Sequence, residues 1–150
     1  MLELKNFSSG QRMANILVID DNDEFRQDLT EMLLDEGYVV WPAACPDEAF
    51  PMFDKEKFDL IICDLTMPFT LGENFMEFEY SSEVGVQTIQ QLSWALPDTR
   101  VIAVSALPFT ELSEIKQRLS NVPLLSKPIK RQELLAMARE VLGSSSKHIH

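Results

Sequence analysis

The sequence has little of what marks secreted, disulfide-rich or membrane-spanning proteins. It contains two cysteines, Cys45 and Cys63, and Cys63 lies in an apolar run, where a small buried thiol is more usual than a disulfide. No stretch approaches the ~20 apolar residues that cross a bilayer, and the first residues do not combine a basic segment with a long apolar one. We therefore expect a cytoplasmic protein that makes no membrane contact.

Basic residues and glycines are scarce as well. Thirteen lysines and arginines face twenty-four aspartates and glutamates, which gives a formal net charge of -11. Such a charge repels nucleic-acid backbones and anionic membranes, so direct nucleic-acid binding is disfavoured. There are five glycines, and no Gly-x-Gly-x-x-Gly motif follows the first apolar run. A dinucleotide-binding module is therefore disfavoured too.

Short apolar runs alternate with segments of helical periodicity. The runs cover residues 16–19, 38–41, 60–63, 101–104 and 122–125. Each predicts a strand that is buried on both faces. The helical segment 44–53 is the weakest, because Pro51 interrupts it. The alternation predicts one doubly wound α/β domain, a five-stranded parallel sheet with helices on both faces. We expect this domain at 15–143, between an N-terminal extension (1–14) and a C-terminal tail (144–150).

Polar residues follow four of the five predicted strands. Asp20 and Asp21 end the first, Asp64 the third, Ser105 the fourth and Lys127 the fifth. Ligands of such sheets bind at the carboxyl ends of the strands, so we expect these residues to converge. Three carboxylates together repel one another unless a cation such as Mg²⁺, which prefers oxygen ligands, joins them. A central carboxylate there can attack phosphorus, while a lysine and a hydroxyl help to neutralise the phosphoryl oxygens.

Each of these residues also has a structural interpretation. An Asp-Asp pair before a helix is typical of an N-terminal cap. A single serine such as Ser105, or a single lysine such as Lys127, is more often structural or at the surface. The prediction of a site therefore depends on all of them lying at successive strand ends.

Four motifs, in this order and spacing, resemble the receiver domain of bacterial two-component response regulators. They are Ile-Leu-Val-Ile-Asp-Asp-Asn at 16–22, Asp-Leu-Thr-Met-Pro at 64–68, Val-Ile-Ala-Val-Ser-Ala at 101–106 and Ser-Lys-Pro at 126–128. The resemblance covers residues 15–143 and implies a flavodoxin-like sheet of strand order 2-1-3-4-5. It also implies a signalling phosphoacceptor rather than a conventional enzyme, with intrinsic autophosphorylation and autodephosphorylation.

The resemblance assigns roles to the residues at the strand ends. Asp64 would accept a phosphoryl group from a histidine kinase or a histidine phosphotransfer protein. Ser105 would move toward the new phosphoryl group, Lys127 would form a salt bridge to it, and the bond from Lys127 to Pro128 would be cis. Mg²⁺ would be held by Asp20, Asp21, Asp64 and the backbone carbonyl of Thr66.

The resemblance also implies where signals leave the domain. A downstream protein effector would bind the face formed by the fourth helix, the fifth strand and the fifth helix, and homodimerisation stays open. This face carries the charged residues Glu111, Glu114, Lys116, Arg131 and Glu133.

Two features depart from the family pattern. The position three before Lys127, often aromatic in the family, is Leu124, so the signal would have to pass through Ser105 and the fourth helix. The loop at 69–84, before the expected helix-opening Gly85, is enlarged and interleaves glutamates with aromatic residues. It is either a surface loop that packs its aromatic side chains on the domain or a lid over Asp64.

Two rival functions stay open at this point. The first is a pseudo-receiver that docks proteins without being phosphorylated. The second is a phosphohydrolase resembling the haloacid dehalogenase superfamily, with Asp21 of the sequence Asp21-Asn22-Asp23 as nucleophile. That function requires a later acidic pair, which does not follow the fourth or fifth strand, and it gives Asp64 no role.

Overall fold

The structure is a computed structural model that describes residues 13–66 and 83–143. The strands of the described part are β1 Asn15–Ile19, β2 Val39–Ala43, β3 Leu60–Asp64, β4 Arg100–Ser105 and β5 Leu124–Ser126. The helices are α1 Asp23–Asp35, α2 Pro46–Ala49, α3 Glu83–Ala95, α4 Phe109–Arg118 and α5 Arg131–Gly143. A 3-10 helix at Phe50–Asp54 continues α2. None of the described helices is both long enough and apolar enough to span a bilayer.

The five strands form one parallel sheet in the order β2-β1-β3-β4-β5, which confirms the predicted fold class. Alternate strand residues point to opposite faces of the sheet. Ile16 and Val18 of β1 share a core with α1 and α5, whereas Leu17 and Ile19 share the other core with α2, α3 and α4. Helices therefore cover both faces, and the carboxyl ends of all five strands lie along one edge.

The prediction that every strand is buried on both faces is wrong for β2 and β5. β1 and β3 are buried along their whole length, but Val39 of β2 is 38% exposed and Ser126 of β5 is exposed. The reason is position, since β2 and β5 are the two edges of the sheet. β2 also runs to Ala43, past Pro42, because an edge strand tolerates a residue without an N–H donor.

Pro51 shortens the second helix, as the sequence predicts. α2 ends at Ala49, and the chain continues as the 3-10 helix that contains Pro51. Cys45 and Cys63 are both free and buried. Burial raises the pKa of the Cys63 thiol far above its usual range, which keeps it protonated.

The backbones of α3 and β3 meet closely beside the candidate site. Gly85 lies in the first turn of α3, and a Cβ at this position would overlap the carbonyl group of Leu65. Only glycine allows this approach. α3 begins at Glu83, so the helix takes in the last two residues of the predicted 69–84 loop. The rest of that loop with its proposed lid, residues 1–12 of the extension and the tail lie outside the described residues.

Candidate functional site

The candidate site lies at the carboxyl ends of β1, β3 and β5. Asp20 follows β1, Asp64 ends β3 and Lys127 follows β5. Backbone hydrogen bonds hold these positions just past the strands. The N–H of Asp20 donates to the Ala43 carbonyl (3.1 Å), and the N–H of Lys127 donates to the Ser105 carbonyl (2.7 Å). The sheet edge thus brings residues from distant parts of the sequence together.

Three carboxylates and one ammonium group meet there. One oxygen each of Asp20, Asp21 and Asp64 lies within 4.8 Å of the others. Asp20 is 2% exposed and Asp64 is 3% exposed. Lys127 Nζ lies 2.9 Å from Asp20 Oδ2 and 3.6 Å from Asp64 Oδ2. With all four groups ionised, this acidic cluster has a net charge of -2 in a largely buried place.

The acidic cluster resists full ionisation. Burial and the neighbouring charge of Asp20 raise the pKa of Asp64 to about 7, although Lys127 opposes the shift. Burial and the charge of Asp20 also raise the pKa of Asp21. Both shifts have the direction expected for like charges brought together in a place of low dielectric constant. A cation bound among the carboxylates would relieve this repulsion.

The turn between β1 and α1 orients the first aspartate. The N–H of Asn22 donates to Asp20 Oδ1 (2.8 Å), and the N–H of Phe25 donates to Asn22 Oδ1 (2.9 Å). Asn22 is therefore the N-cap of α1, and the alternative that the aspartates cap this helix is not needed. Arg26 Nη1 donates to the Asp20 carbonyl (2.7 Å) and Nη2 to Asp23 Oδ1 (2.6 Å).

Asn22 and Arg26 have supporting roles that were not predicted from the sequence. An asparagine directly before a helix is a recognisable cap signal, so Asn22 could have been found. No local pattern indicates that an arginine in the second turn of α1 reaches back to the carbonyl of Asp20.

Ser105 and Thr66 lie beside the acidic cluster. Ser105 is fully buried, and its Oγ accepts a hydrogen bond from the Leu107 N–H (2.9 Å). Among the described residues, no hydrogen bond joins its side chain to the three carboxylates. The N–H of Thr66 donates to Asp64 Oδ1 (3.3 Å), which orients the Asp64 carboxylate. The coordinating role of the Thr66 carbonyl stays a prediction.

Lys127 is bounded on a third side by an aromatic ring. Its Nζ lies 4.1 Å from the centre of the Phe25 ring. The bond from Lys127 to Pro128 is cis, as the resemblance implied. Phe25, which lies in the first turn of α1, is thus a neighbour of the site.

The residues of the acidic cluster fit a hard divalent cation. They offer carboxylate oxygens, the ligand type that Mg²⁺ and Ca²⁺ prefer. Asp20 Oδ2 accepts no hydrogen bond from the described residues, although it is buried and in ionic contact with Lys127. The contact with Lys127 satisfies this oxygen only in part, because a single ammonium group serves a cluster of three carboxylates. Coordination to a metal would offset the remaining negative charge.

Comparison with known proteins identifies the family. Residues 16–139 match the model of the response regulator receiver domain. A response regulator receiver protein from Anaeromyxobacter is 28% identical over 117 residues, which cover 78% of this chain and 44% of that protein. The chain belongs to the response regulator receiver domain family of two-component systems. It spans 30% to 58% of the length of three curated relatives that it matches.

Solved structures agree with the fold. A CheY-like receiver domain protein from Methanospirillum hungatei superposes with a TM-score of 0.73 at 22% identity, covering 91% of this chain and 99% of that one. A response regulator from Burkholderia pseudomallei, solved with a phosphorylated aspartic acid, a calcium ion and citrate, is 27% identical. Its TM-score is 0.63, and the match covers 90% of this chain and 72% of that one.

Proposed function

We propose that this protein is a phosphoacceptor receiver that takes a phosphoryl group onto Asp64 from a histidine kinase or a histidine phosphotransfer protein. The observation that carries the proposal is the position of Asp64. Asp64 is the last residue of the central strand β3. One of its carboxylate oxygens lies within 4.8 Å of one oxygen each of Asp20 and Asp21, and Oδ2 lies 3.6 Å from Lys127 Nζ. The phosphorylated aspartic acid in the Burkholderia relative supports the same chemistry.

The transfer forms one bond to phosphorus and breaks another. An Asp64 carboxylate oxygen attacks the phosphorus of a phosphohistidine and forms an acyl phosphate. The P–N bond of the donor breaks, and the imidazole keeps the electron pair and then takes up a proton from water. Lys127 would neutralise charge on the transferred oxygens. Asp64 must be ionised to act as the nucleophile. Because its pKa is raised, the ionised fraction of Asp64 depends on the charges of its neighbours in the acidic cluster.

We propose that Asp20, Asp21, Asp64 and the Thr66 carbonyl hold Mg²⁺. The bound ion would neutralise negative charge that the carboxylates and the phosphoryl oxygens bring together. Lys127, now 2.9 Å from Asp20 Oδ2, would then exchange this contact for one with a phosphoryl oxygen.

Ser105 is the proposed link to the output surface. Its Oγ accepts a hydrogen bond from the Leu107 N–H, just before α4, and its own O–H could still donate to a phosphoryl oxygen. A shift of the hydroxyl toward that oxygen would either draw Leu107 with it or break the bond to the Leu107 N–H. Breaking it costs about 1 kcal/mol, which a charged phosphoryl acceptor can offset. In both cases the segment before α4 would move. We propose the surface of α4, β5 and α5 as the effector-binding face.

A phosphorylation assay tests this function. The protein is incubated with Mg²⁺ and acetyl phosphate, and its intact mass is measured. The wild type and the control Asp98→Asn, which changes an exposed aspartate of similar chemistry, should each gain one phosphate. Asp64→Asn, and the wild type in EDTA, should gain none.

The same assay separates the rival functions. If no adduct forms with acetyl phosphate or with a phosphorylated histidine donor, the protein is a docking module instead. If phosphate release survives Asp64→Asn but is lost in Asp21→Asn, it is a phosphohydrolase that uses Asp21.

A further inference from the structure

The ring of Phe25 lies over the ammonium group of Lys127. The Lys127 Nζ lies 4.1 Å from the centre of the Phe25 ring, well within the ~6 Å range of a cation–π contact. The Lys127 side chain is 17% exposed, so little water competes for its ammonium group. Cation–π attraction strengthens when the cation is desolvated.

The ring is held by the same turn that orients Asp20. The Phe25 N–H donates to the Asn22 side chain, and the Asn22 N–H donates to Asp20 Oδ1. Phe25 also packs against the core between the sheet and helices α1 and α5. The aromatic face and the Asp20 carboxylate therefore approach Lys127 from one rigid turn, while Lys127 itself comes from the loop after β5.

We propose that Phe25 is a positioning residue that holds the Lys127 ammonium group at the site while its anionic partners change. This inference rests on the proposed function of Asp64. On phosphoryl transfer, Asp64 would become an acyl phosphate, and Lys127 would exchange contact with Asp20, a proposed Mg²⁺ ligand, for contact with the phosphoryl group. The Phe25 ring binds no metal and gains no charge, so its contact with Lys127 would be the same before and after phosphoryl transfer.

The contact between the Phe25 ring and Lys127 can be tested by substitutions that keep the volume of the ring almost constant. Phe25 is replaced by phenylalanines with one, two and three fluorine atoms, which progressively weaken the negative face of the ring. The affinity for beryllofluoride, a phosphoryl mimic that needs Lys127, is measured in saturating Mg²⁺. We expect the dissociation constant to rise steadily along the series, to about two- to fivefold above that of the wild type.

Phe53 provides a matched control. Its ring lies 6.0 Å from that of Phe50 and 5.8 Å from that of Phe58, in the 3-10 helix rather than at the site. The same fluorinated series at Phe53 should leave beryllofluoride affinity unchanged. The conservative Phe25→Tyr, which keeps an aromatic face, should bind beryllofluoride more tightly than Phe25→Leu.

A resting-state measurement accompanies the affinity series. In the unphosphorylated wild type, the ring current should shift the ε-methylene protons of Lys127 upfield, and Phe25→Leu should abolish this shift. An unshifted Lys127 in the wild type, or an affinity that is flat along the fluorinated series, overturns the inference while Asp64 still takes phosphate. A wild type that binds no beryllofluoride and takes no phosphate overturns the proposed function as well.

Discussion

Replacing Asp64 by asparagine should stabilise the metal-free protein, although it removes the proposed phosphoacceptor. The wild-type carboxylate is 3% exposed and lies beside Asp20 and Asp21. Asparagine has nearly the same shape, and its side-chain oxygen can still accept the Thr66 N–H. What it removes is a buried negative charge, and the acidic cluster then holds two carboxylates and the Lys127 ammonium group.

The expected gain follows from the pKa of Asp64. This pKa rises from the ordinary value of 3.8 to about 7 on folding, mainly through burial. The folded state therefore holds the proton more tightly than the unfolded state does. The protonated carboxyl contributes stability that is fully present below pH 3.8 and is lost as the pH rises through about 7. At ~1.36 kcal/mol per pKa unit, the loss is on the order of 4 kcal/mol.

The pH dependence is the decisive part of the measurement. Urea unfolding of the wild type and Asp64→Asn is followed in EDTA from pH 4 to pH 8.5. The stability difference should be small near pH 4, grow until about pH 7 and then stay level. At alkaline pH this difference should raise the melting temperature of Asp64→Asn by roughly 10 °C above that of the wild type. Asp98→Asn, at an exposed position, should show no such growth.

Two outcomes would refute this reasoning. One is a stability difference that is the same at pH 4 and pH 8. The other is a wild type that is more stable than Asp64→Asn at alkaline pH without metal. Added Mg²⁺ should narrow the difference, because the cation binds the folded wild type more tightly than a variant that lacks one carboxylate ligand.

Two further substitutions test the packing around the site. Gly85→Ala should lower the free energy of unfolding by about 1–3 kcal/mol, because its Cβ overlaps the Leu65 carbonyl. Gly143→Ala should not, because no described atom outside its own helix backbone and chain neighbours lies within 4 Å of the new Cβ. Urea unfolding that finds equal losses for the two variants contradicts the close approach at Gly85. Arg118→Ala removes a bidentate ion pair with Glu83 at 2.8 and 3.0 Å, but both partners are exposed to water. Thermal melting should therefore show little change in melting temperature, and a drop as large as that of Gly85→Ala would contradict this expectation.

The sequence predicts the location of the candidate site well, for a simple physical reason. Parallel strands buried on both faces have continuous apolar runs, so the first polar residue after each run marks the strand end. Asp20 and Asp64 are found in this way, and Lys127 lies one residue further along its segment, after Ser126. The structure places the ammonium group of Lys127 within 4 Å of both carboxylates. Whether these residues carry the proposed chemistry stays a prediction for the phosphorylation assay.

Other features depend on contacts that no local pattern encodes. The alternation of strands and helices does not determine strand order, which came from the resemblance to receiver domains. Exposure of Val39 depends on β2 being an edge strand, which is a property of the whole sheet. The contacts of Arg26 with the Asp20 carbonyl, and of Phe25 with Lys127, depend on how the turn after β1 closes.

The close approach at Gly85 has a consequence for how this domain tolerates added sequence. The end of β3 and the start of α3 are packed backbone to backbone, so the two attachment points of residues 67–82 are fixed by the core. Closing a loop between fixed ends becomes only slowly more costly with length, by about 0.6 kcal/mol for each doubling. Evolution can therefore lengthen this connection beside Asp64 at little cost in folding free energy, and this edge of the sheet becomes a place where sequence can be added while the core of the receiver domain stays unchanged.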